Sequence, residues 1–285
     1  MLNVLVTGGN GQLGSELNEV SSEYSESLKL FLVNRHTLNL ESESELTRYI
    51  AENQIGAILN TAAYTAVDLA EKEIEKATTS NVTIPKLLAN ISKFHHLRFL
   101  HVSTDFVFDG KSCQPYREED PIGPISVYGK TKARGEEEIQ KTDSNFQILR
   151  TSWAYSKFGN NFLKTIRRLA QEKPELRIIS DQIGSPTWVR DLARVSLQLI
   201  QTDLPGIYHY SNEGVASWYD FAKEIVEISR LKTKIIPIET KEYPTPASRP
   251  AYSVFNKSKI KKSLNIEIPH WKDSLKACLT EMEKI

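Results

Sequence analysis

Leu2 to Val6 is a short apolar run ending in Thr-Gly-Gly, and Leu13, Leu17 and Val20 follow at helical spacing. The pattern predicts a strand, a tight loop and a helix. Further β-type runs cover Leu28 to Val33, Gly56 to Asn60, Arg98 to Ser103 and Phe146 to Thr151. Helical periods lie between them at Ser44 to Glu52, at about Val67 to Phe94 with Pro85 as a point of interruption, and at Ser126 to Lys141. Such alternation predicts a Rossmann-type α/β fold, a doubly wound parallel sheet with helices on both faces. Sheets of this kind bind ligands beyond the carboxyl ends of their strands.

After Trp153 the alternation fades. Phe162 to Ala170 reads as a helix, Leu176 to Ser180 as a sixth strand, Asp191 to Ile200 as a helix and Gly206 to Tyr210 as a strand. Trp218, Phe221, Ala222, Ile225 and Ile228 share one helical face, with Ser217 placed as the cap. IETKEYPTPASRPAYS reads as an ordered surface loop before a last helix near Trp271 to Met282. The expected organisation is a dinucleotide-binding domain over residues 1–152, to which pieces at about 176–206 return. Residues 153–285 mainly build a smaller, discontinuous α/β substrate lobe.

Composition narrows the function classes. The 285 residues hold 36 Lys plus Arg and 36 Asp plus Glu, without a long basic stripe. The electrostatic footprint of a nucleic-acid binder is missing. Cys113 and Cys278 fit no metal spacing and suit a reducing compartment, with cytoplasm as the default, although one disulfide is compatible with the sequence. No basic segment leads into a long apolar one, and no apolar run approaches ~18 residues, so neither export nor membrane spanning is expected.

TGGNGQLG places Gly8, Gly11 and Gly14 between the first strand and its helix. Glycines there permit a tight turn, let backbone N–H groups approach a diphosphate and allow close helix packing. This context points to a dinucleotide. At the end of the second strand stand Val33, Asn34 and Arg35, with no acid to take a free ribose hydroxyl. A guanidinium suits adenine or a 2′-phosphate, so NADPH is expected, with NADH as the alternative. Ala62 and Ala63 are small enough to let the cofactor pass.

The fourth strand ends in Ser103-Thr104-Asp105 at the same edge, and VYGKTKARGE puts Tyr128 and Lys132 on one helical face. A cation beside a phenol favours the phenolate and brings its titration nearer neutrality. Hydroxyl, phenol and ammonium thus form a proton-delivery set next to a hydride carrier.

The glycine loop, the hydroxyl-ended strand and Tyr-x-x-x-Lys resemble the extended short-chain dehydrogenase/reductase superfamily, whose members mostly act on nucleotide sugars. TAAYTAVDLAE, VSTDFVFDG, YGKTKARGE, RTSWAYS, GNNF, DQIGSPTW, GIYHYSNEGVASWYDFA and RPAYSVF resemble, in order and over nearly the whole chain, the dTDP-4-dehydrorhamnose reductases. That resemblance implies Tyr128 as proton donor and Lys132 as its modulator and ribose ligand. It implies Thr104, rather than Ser103, on the sugar ketone, because strand neighbours face opposite ways. Gly11, Gln12 and Leu13 would line the diphosphate, Asn39 and Leu40 the adenine, and Ala62, Ala63 and Tyr64 the remaining cofactor edge. Asp105 and Trp153 would contact the sugar, and Arg249 the nucleotide diphosphate.

Departures from relatives matter as well. Phe106 follows Asp105 where nucleotide-sugar dehydratases have a second acid, so dehydration is not expected. Asp105 itself reads as an exposed, ionised carboxylate that positions sugar hydroxyls. Some relatives hold magnesium between subunits; Glu16 and Asp191 are the candidates here, but Arg190 adjoins the latter and no metal is expected. His95 and His96 read as exposed or packing residues, and Lys257, Lys259, Lys261 and Lys262 as a solvated helix face. A nucleotide sugar is the expected partner, and oligomeric state is open, a homodimer included. An epimerase and a cofactor-binding regulatory subunit, such as that of methionine adenosyltransferase, are rival readings on the same fold.

Overall fold

The computed structural model describes residues 1–142 and 145–283. Its strands are β1 (Leu2–Thr7), β2 (Leu28–Leu32), β3 (Ala57–Asn60), β4 (Arg98–Thr104), β5 (Phe146–Thr151), β6 (Glu175–Ile179), β7 (Gly206–Tyr210) and β8 (Lys234–Ile238), besides shorter pairs. The main sheet has six strands in the order β7-β5-β4-β3-β1-β2, all parallel. The winding direction reverses between β1 and β3, which opens a crevice at the carboxyl edge.

The principal helices are α1 (Gln12–Val20), α2 (Glu43–Glu52), α3 (Ile84–Phe94), α4 (Val127–Lys141), α5 (Phe162–Glu172), α6 (Val189–Ile200), α7 (Trp218–Ile228), α8 (Ser258–Leu264) and α9 (Trp271–Met282). Successive strand residues feed opposite cores. Val4 and Val6 face Leu17 of α1 and Leu192 and Leu199 of α6, whereas Leu5 faces Leu46 of α2, Leu88 of α3 and Ile139 of α4. Burying each such side chain stabilises the fold by about 1.5–3 kcal/mol before entropy is counted. This two-sided burial is why the strands read as nearly unbroken apolar runs.

The long segment before α3 is broken, but not at Pro85. Short helices Val67–Ala70 and Ile74–Thr78 lead into a π-helical turn at Thr79–Thr83. Pro85 lies in the first turn of α3, where a missing N–H is tolerated. The smaller lobe packs α5, α7 and α9 around Leu163, Ile166, Phe221, Ile225, Leu275 and Leu279. Ser217 caps α7 and forms a reciprocal capping box with Asp220.

Two expectations need correction. The strand at 176 does not return to the main sheet; β6 pairs with β8 in the smaller lobe. The return starts with α6 and β7, and Ile260 and Ile268 from the chain's last quarter also join the main core. The lysine-rich segment is not simply solvated either. Lys257 is buried, with Nζ 3.0 Å from Asn212 O and 3.1 Å from a Glu213 carboxylate oxygen. Cys113 is exposed and Cys278 buried, both as free thiols. Among the described residues, no helix is long and apolar enough to cross a membrane.

Candidate active site

The loop after β1 is built for close approach. Gly8 adopts a positive φ of 71°, and a Cβ on Gly14 would lie 2.5 Å from Gly8 O and 2.6 Å from Gly9 Cα. Only glycine lets the helix start so near the loop. Gly11 caps α1 without any side-chain bond, so no side chain competes for the first-turn N–H groups. Gln12 and Leu13 open that turn, and Gln12 Oε1 accepts from Asn161 Nδ2 at 2.9 Å. An uncapped helix start above a glycine cradle fits a dinucleotide diphosphate.

Gly9 N donates to Val33 O, which ties this loop to the end of β2. Asn34 then makes a tight turn, its Oδ1 accepting from His36 N at 2.8 Å, and leaves Arg35 exposed. Asn39 Oδ1 accepts from Glu41 N, while Leu40 packs partly against the core. On the other side of β1, Ala62 N donates to Thr7 Oγ1 at 3.2 Å. Ala62 and Ala63 leave this edge free of bulk. Tyr64 is fixed at both ends: its N–H donates to Asn81 Oδ1 and its hydroxyl to Glu73 Oε2 at 2.7 Å.

Thr104 ends β4 and Asp105 follows it, while Tyr128 and Lys132 stand one turn apart in the first half of α4. Ser126 caps α4 through its hydroxyl, which starts the helix just before Tyr128. Tyr128 and Lys132 are both buried, and the Thr104 hydroxyl lies close enough to the phenol to influence its ionisation. The expectation of a softened phenol is overturned. Burial pushes Tyr128 up to about 12, because a desolvated phenolate outweighs the help from Thr104. Burial also brings Lys132 down to about 8, against the pull of Glu136. The phenol is therefore protonated at neutral pH, the state that a proton donor requires.

Thr104 Oγ1 donates to Asp105 Oδ1 at 3.0 Å and accepts from Phe106 N. Ser103 Oγ is buried without a partner, so the two hydroxyls do lie in different surroundings. Asp105 is not exposed as expected. It is buried, and desolvation raises it to about 6, although hydrogen bonds from Ser253 and Thr104 oppose the shift. Its Oδ2 has no hydrogen-bond partner among the described residues.

Trp153 has a positive φ of 46°, and its indole stacks on Trp218 at 3.6 Å with 4° between the planes. Gly184 makes room for it; a Cβ there would come within 2.6 Å of the indole. Arg249 is held by partners within the chain. Its guanidinium meets Asp68 Oδ2 at 2.8 Å, Thr245 Oγ1 at 2.7 Å and Ala247 O at 2.9 Å. Glu16 and Asp191 do not share a site. Glu16 takes Arg190 Nε at 2.8 Å and the Ser156 hydroxyl at 2.6 Å, while Asp191 accepts from Asn212 and Ser274.

Sequence reasoning missed several partners. His101 and Asn60 lie inside strands, and Asn81 is buried in the π-helical turn, where nothing local marks them. Asn81 Nδ2 binds Tyr64 O and Thr131 Oγ1, joining the cofactor edge to α4. Ser253 approaches from a distant loop.

Known proteins resemble this chain over nearly its whole length. A family model described as the RmlD substrate binding domain matches residues 2–284. A spore coat polysaccharide biosynthesis protein of Bacillus subtilis is 41% identical, over 99% of this chain and 98% of that one. The dTDP-4-dehydrorhamnose reductase of Sinorhizobium fredii is 38% identical, over 96% of this chain and 95% of its own. Among solved structures, dTDP-4-dehydrorhamnose reductase from Bacillus anthracis in complex with NADP superposes with a TM-score of 0.94 at 36% identity, covering 99% of this chain and 100% of the other. The chain belongs to the RmlD family, which carries this substrate-binding domain on a doubly wound dinucleotide fold.

Proposed function

We propose that this protein is an NADPH-dependent reductase that converts the C4 ketone of dTDP-4-dehydro-L-rhamnose to the hydroxyl of dTDP-L-rhamnose. The observation that carries this reading is that Thr104 closes β4 at the sheet edge that also bears the glycine cradle, beside buried Tyr128, with buried Lys132 one turn further along α4. The relatives named for this reaction, and the neighbour bound to NADP, support the same substrate and cofactor.

Reduced nicotinamide, when bound, supplies the hydride. Tyr128 gives its proton to the developing alkoxide oxygen, and the Thr104 hydroxyl helps hold that oxygen. Lys132 supplies positive charge and hydrogen bonds beside the tyrosine as its negative charge develops. Asp105 offers its unpartnered Oδ2 to a sugar hydroxyl, and Trp153 offers an indole face to the sugar ring. Arg35 favours the 2′-phosphate of NADPH. Cys113 and Cys278, both free, suit a reducing cytoplasm.

The test is direct. Purified protein is mixed with NADPH and the 4-keto sugar nucleotide, and the absorbance of the reduced nicotinamide is followed. Stoichiometric oxidation is expected. No oxidation above background overturns the reading and favours a cofactor-binding subunit, whereas sugar conversion without net oxidation favours an epimerase.

A further inference from the structure

Beneath the site, the nitrogen of Lys132 is held by groups that take no part in the chemistry above. Nζ donates to Val102 O at 2.8 Å and lies 3.0 Å from His101 Nε2. His101 is fully buried on β4, and its Nδ1 lies 2.9 Å from Asn60 Nδ2. Asn60 Oδ1 accepts from the Thr7 hydroxyl at 2.6 Å, a length typical of an O–H donor. Thr7 Oγ1 in turn accepts from Ala62 N at 3.2 Å.

With the Asn60 amide in this orientation, the chain runs from Ala62 through Thr7 and Asn60 to His101. Nδ1 is then an acceptor. A neutral ring keeps its hydrogen on Nε2, facing the lysine, and an uncharged amine accepts it. A charged lysine demands the reverse, a bare Nε2 with the Asn60 amide turned over. Imidazole beside an amide can satisfy both states, which an aliphatic or acidic side chain cannot.

The ionisable groups around this nitrogen are few. Tyr128 and Glu136 share its helix, His101 lies on β4, and Asp105 follows that strand. Glu136 is neutralised by Arg150 of β5, Nη2 to Oε2 at 2.7 Å. Burial holds His101 well below its ordinary value and brings Lys132 to about 8, so the ring stays neutral while the lysine can change charge.

We infer that His101 is a positioning residue for the reduction, keeping Lys132 Nζ in one place whether that nitrogen carries two hydrogens or three. This rests on the catalytic reading of Tyr128 and Lys132 given above. One N–H of the ammonium remains beyond those given to His101 and Val102, and it is the one left for the site.

The variants His101→Gln and His101→Asn separate the two ring nitrogens. Glutamine places an amide near Nε2 and keeps a partner for Lys132; asparagine reaches only toward Nδ1 and Asn60. His101→Gln is expected to keep the wild-type pH profile of kcat, and His101→Asn to lose about tenfold in kcat. The alkaline limb in His101→Asn moves by about one pH unit, with KM for NADPH nearly unchanged. The opposite order, or two unaltered profiles, overturns the inference. Nitrogen NMR of ring-labelled wild-type protein supplies a measurement that needs no variant: His101 is expected as the Nε2–H tautomer at alkaline pH and as Nδ1–H once Lys132 is charged. A single tautomer from pH 6 to 10 overturns it. Tyr128→Phe in the same assay distinguishes the two claims, since an active Tyr128→Phe defeats the catalytic reading itself, whatever His101 does.

Discussion

Arg249 and Asp68 form a two-pronged ion pair, with Nη2 to Oδ2 at 2.8 Å and Nη1 to Oδ1 at 3.1 Å, that ties the proline-rich loop to the short helix Val67–Ala70. Both groups are partly exposed, so the pair contributes only about 0–1 kcal/mol to stability. Its importance is expected in substrate affinity. Arg249→Ala and Asp68→Ala should raise KM for the nucleotide sugar by similar factors, and the double variant should be no worse than either. If Arg249→Ala alone is worse by about tenfold, the guanidinium leaves Asp68 to bind the diphosphate.

Tyr128→Phe removes the donor and retains the ring packing against Phe106. Turnover is expected to fall ~10²-fold or more, the scale of one general acid. Fluorescence titration with NADPH should give nearly the wild-type affinity. Full activity in this variant removes Tyr128 from the role.

Arg35 stands exposed on the turn after β2, and among the described residues no carboxylate is bound to it. Arg35→Ala is expected to lower the ratio of kcat/KM for NADPH over NADH by about tenfold, the scale of one bond to a charged group. An unchanged ratio would place the 2′-phosphate elsewhere.

Asp105 gives a pH signature in stability. Its folded value is raised to about 6 above an ordinary carboxylate, so the folded state binds its proton more tightly than the unfolded chain. The stabilisation is full below the unfolded value near ~4 and is lost as pH rises through about 6, with a slope of up to ~1.4 kcal/mol per pH unit. Chemical denaturation of wild type and Asp105→Asn between these limits should show that slope only in wild type. Parallel curves contradict it.

Gly135 lets α4 sit against the π-helical turn; a Cβ there would fall 2.0 Å from Asn81 O. Gly135→Ala should destabilise by ~1–3 kcal/mol through overpacking. Because Asn81 also holds Tyr64 and Thr131, loss of NADPH affinity should accompany the lower Tm.

What the sequence revealed follows from the range of each interaction. β1 to β5 were legible because burial on two faces writes apolar runs into contiguous residues. Gly8, Gly14, Tyr128 and Lys132 were legible because their spacing is local. β8 was not read, since Pro237 disfavours a central strand and the pairing with β6 spans distant residues. The ionisation of Tyr128 and Asp105 was misjudged because burial is a property of the assembled fold. His101 and Asn60 looked like ordinary strand residues, and only the register of β3 on β4 makes them neighbours.

The late return of β7 to the edge of β5 makes the two lobes inseparable by simple cutting. A fragment ending at Ser152 would lose α6 from one side of its core and leave β5 with an unsatisfied row of peptide groups. Such a border recruits other chains. The dinucleotide half should therefore aggregate when expressed alone, although its own motifs all lie within the first half of the gene product.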